Sequence, residues 1–184
     1  MLFVPAALRR YDIVVVTGSI ALGDTPRAGA WAFSTMLAGF VTSAPYMLVH
    51  GDASGADHAA ERAASEAAIP SLVFPSDKGR AMARWRIGLF DPPPERVCGD
   101  PRPDIASVLP EYDGHPLRRN DAMVAWAKVR RDAGARVLVV ALAAPWCKRY
   151  SAGRGGTRYT AHMAEKAGLP VKWFVCPEEY AGKE

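Results

Sequence analysis

Runs of β-branched and aliphatic residues alternate along this chain with segments of helical periodicity, and this alternation constrains its fold most. The two strongest runs, YDIVVVT at 11–17 and RVLVVAL at 136–142, predict strands that are buried on both faces of a sheet. Shorter runs predict three further strands, at 46–49, 71–74 and 171–175. Helical spacing of apolar residues predicts helices at 29–41, from 56 to the Ile69-Pro70 step, at 117–133 and at 157–167.

The alternation of strands and helices predicts the fold class. Because parallel strands need long crossover connections, we expect an α/β Rossmann-like three-layer sandwich. Its sheet is mostly parallel, with about five strands and with helices on both faces. Residues 1–184 form a single domain in this interpretation, with an irregular Pro-rich insertion at 76–115. The insertion could serve as a lid, an interface arm or a surface loop.

Composition argues against several classes of protein. No apolar run approaches the roughly 20 residues that a membrane span needs. Cys98, Cys147 and Cys176 are scattered and form no C-x-x-C pair, so the sequence suggests neither a disulfide framework nor a zinc knuckle. A reducing, cytoplasmic location is therefore favoured. The formal net charge of +4 permits phosphate-bearing or nucleic-acid partners without requiring them. We interpret Arg130 and Arg131 as part of a solvated helix face.

Three loops that are rich in glycine or small polar residues follow predicted strands. They are TGSIALGD at 17–24, HGDASGAD at 50–57 and APWCKRYSAGRGGT at 144–157. Ligands of open parallel sheets bind beyond the carboxyl ends of the strands, at the point where the strand order reverses. We therefore expect these three loops to converge on one ligand site.

The loop HGDASGAD combines features that suit an anion. Gly51 and Gly55 carry no Cβ, so the backbone can turn sharply there and approach a ligand closely. Ser54 or Asp57 could cap the following helix, whose start presents free N–H groups and a positive dipole end. The loop therefore predicts a phosphate site, although a polar turn with an ordinary N-cap would show the same residues.

The same loop also holds side chains of types that bind metals. His50, Asp52, Asp57 and His58 carry suitable donor atoms, but their order in the sequence matches no ligand spacing that we can justify. Asp57 and His58 are adjacent on a helix and point to different sides. The sequence therefore predicts no metal site.

A second glycine-rich loop, GRGGT at 153–157, repeats the arrangement. Gly155 and Gly156 precede the predicted helix, and Thr157 could cap that helix or bond a phosphate oxygen, although paired glycines are also common in flexible turns. Neither loop matches the G-x-x-x-x-G-K-[ST] motif of ATP-hydrolysing proteins, and GSIALGD matches the dinucleotide motif G-x-G-x-x-G poorly. Two such loops at neighbouring strand ends favour a phosphate-binding cleft of another kind.

Four motifs together resemble a known family. VTGS at 16–19, HGDASGADHAA at 50–60, RRN-x-x-M at 118–123 and GGT with the helix and AGLPV at 155–171 are similar to the YspA-like branch of the SLOG superfamily. That superfamily also includes the DNA-processing protein A and the LOG cytokinin-activating enzymes. The resemblance covers nearly the whole chain except the insertion. It implies a Rossmann-like sheet that binds a nucleotide, or a ligand derived from NAD or ADP-ribose.

The resemblance also implies a set of ligand-binding residues. Arg119 would neutralise phosphate charge with its fork of donors, Asn120 would hydrogen-bond a base or sugar, and Asp57 could accept from ribose hydroxyls. The full set implied to contact the ligand is Gly18, Ser19, His50, Gly51, Gly55, Asp57, Arg119, Asn120, Gly155, Gly156 and Thr157.

Two departures from the family pattern bear on activity. Ile20 stands where the branch often has arginine after G-S, which removes one expected cation. The LOG enzymes carry P-G-G-x-G-T-x-x-E, whose glutamate serves cleavage of the N-glycosidic bond. This chain lacks the proline and has Thr160 three residues after Thr157, and Glu165 lies a full turn further along the helix. Phosphoribohydrolase activity is therefore not the first expectation.

Three functions from different classes remain open. We expect binding or sensing of a nucleotide-like ligand in a phosphate-binding cleft. The first alternative is a hydrolase of N-glycosidic or phosphate-ester bonds, acting on a nucleoside phosphate or an ADP-ribose derivative, with Asp57, Glu61 or Glu165 as its carboxylate. The second alternative is binding of single-stranded nucleic acid. A homo-oligomer is compatible with each of these functions, and no membrane partner is expected.

Overall fold

The two β-branched runs that dominate the sequence form the centre of the sheet. In the computed structural model, β1 (Ile13–Gly18) pairs in parallel with β5 (Val137–Ala143), from the Ile13–Val137 pair to the Gly18–Leu142 pair. Every residue of β5 is buried, which explains the absence of polar alternation in its sequence. The structure describes residues 11–76, 81–84, 95–99, 103–108, 115–146 and 155–181.

The strand order is that of an open α/β sheet. The order β4-β3-β2-β1-β5-β6 contains five parallel strands and one antiparallel edge strand, β4. The remaining strands are β2 (Met47–His50), β3 (Ser71–Val73), β4 (Met82–Arg84) and β6 (Val171–Val175). The helices are α1 (Pro26–Ser43), α2 (Ala56–Glu66), α3 (Glu95–Cys98), α4 (Ile105–Val108), α5 (Pro116–Asp132) and α6 (Gly156–Lys166). The predicted α/β Rossmann-like class is confirmed.

Helices cover both faces of the sheet. Val14 and Val16 of β1 point into one core with α1 and α2, whereas Ile13 and Val15 point into a second core with α5 and α6. Successive residues of a strand face opposite sides, so a run without polar residues is needed to fill both cores. This arrangement is the predicted three-layer sandwich.

The insertion contributes regular structure that the sequence did not predict. β4 pairs antiparallel with β3, through Ser71 with Arg84 and through Val73 with Met82. A three-residue strand at a sheet edge takes its conformation from its neighbour, so no periodic pattern marks it in the sequence. Within the same insertion α3 and α4 form single turns. The proline run at 92–94 and the rest of 77–80, 85–94, 100–102 and 109–114 lie outside the described residues.

Arg130 and Arg131 pack against the protein, in contrast to the solvated helix face that the sequence suggested. The Arg130 guanidinium carbon lies 5.9 Å from the ring centre of Trp126. The Arg131 Nη1 donates to the carbonyl of Ala167 at 2.7 Å, which joins α5 to the end of α6. The arginine pair therefore contributes to helix packing.

The structure bears on two features that composition raised, membrane spans and cysteines. In the part of the chain that the structure describes, no helix combines the length and apolar character that crossing a membrane requires. Cys176 is a buried, free thiol, and burial raises the pKa of this thiol to about 11. Cys147 and the side chain of Cys98 lie outside the described residues.

Candidate functional site

A cleft of about 560 Å³ opens beyond the carboxyl ends of β1 and β5. The strand order reverses at these two strands, because β2 lies on one side of β1 and β5 lies on the other. Residues that follow β1, β2 and β5 line the cleft, together with the first turns of α5 and α6. The three glycine-containing loops therefore meet at one place, although 147–154 of the third loop lie outside the described residues.

Most of the residues implied by the resemblance line this cleft. Those that do are Gly18, Ser19, Asp57, Arg119, Asn120, Gly155, Gly156 and Thr157. The others, His50, Gly51 and Gly55, are not among the lining residues. Glu165, a weak candidate for catalysis, is exposed on the last turns of α6 and does not line the cleft either.

The start of α6 is the part of the cleft best suited to an anion. Gly155 is the N-cap residue with φ 87°, and no side chain caps the helix. The side chain of Thr157 is only 5% exposed, lines the cleft, and forms no hydrogen bond with any residue that the structure describes. Arg158 adds a positive charge at the same end. A helix N-terminus with a hydroxyl that borders the cleft presents hydrogen-bond donors and a positive dipole end to a ligand.

The loop HGDASGAD uses its amides within the protein. Oδ2 of Asp57 accepts from the amide of Gly51 at 3.1 Å and from that of Ala53 at 3.2 Å. The amide of Asp52 donates to Nδ1 of His50 at 3.2 Å. The amides of residues 51–53 are thus engaged by the loop itself, and this loop shapes one wall of the cleft.

The expected side-chain cap of α2 is absent. Gly55 is the N-cap residue, with φ 76°, so neither Ser54 nor Asp57 takes that position. A Cβ on Gly55 would lie 2.5 Å from the carbonyl oxygen of Ile20 and 2.6 Å from that of Ser19. Glycine is therefore required because two loops cross closely, and because the backbone there is left-handed, before any ligand is considered.

Arg119 lies inside the wall of the cleft and connects its loops. The side chain is 7% exposed. Its Nη1 donates to the carbonyl of Gly51, and its Nε donates to Oδ1 of Asn120 at 2.7 Å. A Cβ on Gly51 would lie 2.7 Å from Nε of Arg119, so glycine leaves space for the guanidinium. Arg119 therefore has a positioning role in the structure, beside the phosphate contact that the resemblance implies.

Burial moves the pKa values of two groups beside the cleft in opposite directions. Burial raises the pKa of Asp57 to about 6, although Arg119 and two backbone hydrogen bonds act against the rise. Burial, with Arg84, His58 and Arg119 nearby, lowers the pKa of His50 to about 3. His50 is therefore neutral at physiological pH.

His50 is a structural residue in this geometry. It is fully buried, and because its Nδ1 accepts from the amide of Asp52, its proton resides on Nε2. Nε2 lies 3.9 Å from Oε1 of Glu61 and forms no hydrogen bond with a described residue. The resemblance implied His50 as a ligand contact, whereas the structure places it behind the wall.

A cluster of charged side chains links the insertion to the cleft. Arg84 of β4 pairs with Glu61 of α2 and lies 3.3 Å from Oδ2 of Asp52. His58 lies 3.6 Å from Oδ1 of Asp52, a lining residue whose φ is 61°. The described residues contain no group of three or more His, Cys, Asp or Glu side chains placed to hold a metal ion.

Several lining residues are outside the set of ligand contacts that the resemblance implies. They include Thr17, Ile20, Ser76, Leu117, Met123, Trp146 and Arg158. In the sequence, Ile20 is notable only because it stands where the resembled branch often has arginine. Trp146 follows the strongest strand, so its place at a carboxyl strand end was a usable signal. Thr160, at the position of the LOG glutamate, is buried and donates to the carbonyl of Gly156 at 2.7 Å.

Comparison with known proteins gives one structural likeness. No protein-family model matches the chain, and no curated protein sequence matches it. Among solved structures, the chain is similar to DNA processing protein A (DprA) from Streptococcus pneumoniae, with 15% identity and a TM-score of 0.38. The match covers 90% of this chain but 59% of that protein. The fold class follows from the strand order described above.

Proposed function

We propose that this protein binds a nucleotide-like ligand, such as a nucleotide, NAD or an ADP-ribose derivative, with a phosphate group at the start of α6. The observation that carries this proposal is the state of Thr157. Its side chain is only 5% exposed and borders the cleft, yet its hydroxyl has no partner among the described residues. The hydroxyl oxygen itself is accessible from the cleft, because it is not among the buried side-chain atoms without a partner, so it is placed to donate a hydrogen bond to a ligand oxygen.

Asp57 and Asn120 supply groups within the cleft that suit a sugar. Oδ2 of Asp57 is occupied by backbone amides, and no described residue donates a hydrogen bond to Oδ1. Because Oδ1 of Asn120 accepts from Arg119, its amide nitrogen is the group left to face the start of α6. A carboxylate oxygen and an amide donor within one cleft match the hydroxyls and oxygens of a ribose.

Membership of the YspA-like branch of the SLOG superfamily is part of this proposal. Its support is spatial: residues from the motifs at 16–19, 50–60, 118–123 and 155–171 border one cleft. The branch assignment predicts that a nucleotide or an NAD- or ADP-ribose-derived ligand occupies that cleft.

Calorimetric titration tests the proposal. We expect the wild-type protein to bind at least one of AMP, NAD and ADP-ribose more tightly than inorganic phosphate. Thr157→Val should weaken that binding by about tenfold, because one hydrogen bond to a charged oxygen is lost. Thr42→Val, at an exposed hydroxyl on α1 outside the cleft, is the matched control and should leave the affinity unchanged. Absence of binding, or equal losses in both variants, would contradict the phosphate site.

A hydrolase is the second candidate, and the raised pKa of Asp57 favours it. A carboxyl group that titrates near pH 6 can take or give a proton under physiological conditions, as a general acid or base must. Glu165 is remote from the cleft and Glu61 is paired with Arg84, so Asp57 is the carboxylate that this reaction would use. Incubation with AMP, NAD or ADP-ribose followed by chromatography separates the candidates: turnover that Asp57→Asn abolishes favours hydrolysis, and binding without turnover favours a sensor.

A further inference from the structure

Ile20 and Trp146 provide apolar surface inside the cleft. Both line it, and they follow the adjacent strands β1 and β5, which are in register through Gly18 and Leu142. Ile20 is 63% exposed and Trp146 is half-buried. A large aliphatic side chain that remains exposed within a concave site, together with an aromatic side chain that lines the same site from a neighbouring strand end, is typical of the apolar part of a ligand pocket.

The α6 end of the same cleft has the opposite chemistry. It offers the uncapped helix start and the hydroxyl of Thr157, which suit an anion. A ligand that satisfies both regions carries a phosphate and a flat apolar group. A sugar phosphate alone would leave Ile20 and Trp146 in contact with water, and a purely apolar ligand would leave the Thr157 hydroxyl without a partner.

We propose that Ile20 and Trp146 bind the aromatic base of the nucleotide whose phosphate lies at α6. This inference rests on the proposed function and assigns the part of the ligand that it left open. Stacking of a base on an aromatic ring strengthens binding by roughly tenfold or more, and it tolerates every base because each has a π-face. The site therefore requires a base and discriminates weakly between bases.

Titration with AMP and with ribose 5-phosphate tests the base site, because the two ligands share a sugar and a phosphate. We expect wild-type protein to bind AMP at least about tenfold more tightly. Trp146→Ala should remove most of this preference, and Trp146→Phe, which keeps an aromatic ring, should retain it. Ile20→Ser should weaken AMP binding alone. Val41→Ser, at a 69% exposed position on α1 outside the cleft, is the control and should change neither affinity.

The outcomes separate this inference from the proposed function. Equal affinities for AMP and ribose 5-phosphate, or an AMP affinity that Trp146→Ala and Ile20→Ser leave unchanged, overturn the base site while the phosphate site stands. Absence of binding of both ligands overturns this inference, and absence of NAD and ADP-ribose binding as well overturns the proposed function. If Trp146→Ala does not fold, tryptophan fluorescence decides: quenching by AMP in wild-type protein must be reduced in Trp146→Phe, and equal quenching contradicts the base site.

Discussion

Asp57 has a strongly raised pKa and lines the cleft. Its carboxyl group is buried, and the pKa of about 6 in the folded protein lies above the ordinary value of 3.8. Between these two pH values Asp57 is mostly protonated in the folded state and mostly ionised in the unfolded state. The contribution of Asp57 to the free energy of unfolding is therefore greatest below pH 3.8 and is lost as the pH rises through about 6.

The first prediction concerns Asp57→Asn, which removes this titration. Relative to wild type, the free energy of unfolding of the variant should increase by about 2–3 kcal/mol between pH 4 and pH 7. Urea denaturation of both proteins across this range measures the difference. The opposing contribution of His50 is common to both proteins and cancels. A difference that stays constant with pH would show that Asp57 titrates near its ordinary pKa.

Arg119 and its neighbour Arg118 allow a matched comparison of two arginines. Arg119→Ala should lower the free energy of unfolding by about 2–4 kcal/mol without ligand, since it removes the hydrogen bond to the Gly51 carbonyl and the positive charge that favours the ionised form of Asp57. Arg118→Ala should cost less than about 1 kcal/mol, because that half-exposed side chain lies 3.7 Å from Asp121. Chemical denaturation checks both. Equal, small losses would show that Arg119 does not hold the loop together.

Three elements meet closely at Gly18, the last residue of β1. A Cβ there would overlap Ala56 of α2 and lie 2.8 Å from the Leu142 carbonyl oxygen of β5. Gly18→Ala should therefore lower the free energy of unfolding by about 1–3 kcal/mol through overpacking. Gly29→Ala, inside α1 with ordinary contacts, should raise it by about 0.5–1 kcal/mol. Thermal denaturation of both variants measures the contrast, and a tolerated Gly18→Ala would contradict the close packing of β1 on α2.

The predictability of each element follows from its length and burial. β1 and β5 were found because strands buried on both faces leave long apolar runs in the sequence. β4 was missed because an edge strand of three residues depends on β3, which no local pattern records. α1 starts at Pro26, three residues before the start at 29 that helical spacing predicts. Proline is favourable in the first turn of a helix, although within a sequence it usually indicates the end of one.

For the molecule as a whole, the sequence predicted which loops lie together better than it predicted the contacts that their residues make. Strand order alone places a cleft beyond β1 and β5. Whether a loop forms hydrogen bonds within the protein or with a ligand depends on tertiary contacts, such as that of Arg119 with Gly51. His50 and Gly55, which the resemblance implies as ligand contacts, do not line the cleft and make close contacts within the protein.

The insertion is tied to the site by charge. Arg84, the last residue of β4, contacts both Glu61 and Asp52, and Asp52 lines the cleft. Exposed pairs of this kind add little to stability on their own, so we interpret the cluster as fixing the position of the cleft wall. No sequence pattern connects residues so far apart in the chain.

The central claim is that a nucleotide places its phosphate at the start of α6. A crystal structure with bound AMP tests it most directly. We expect phosphate oxygens within hydrogen-bond distance of the Thr157 hydroxyl and of at least one amide among residues 156–158. A phosphate bound to the loop at 50–54, or a nucleotide bound outside the cleft, would contradict it.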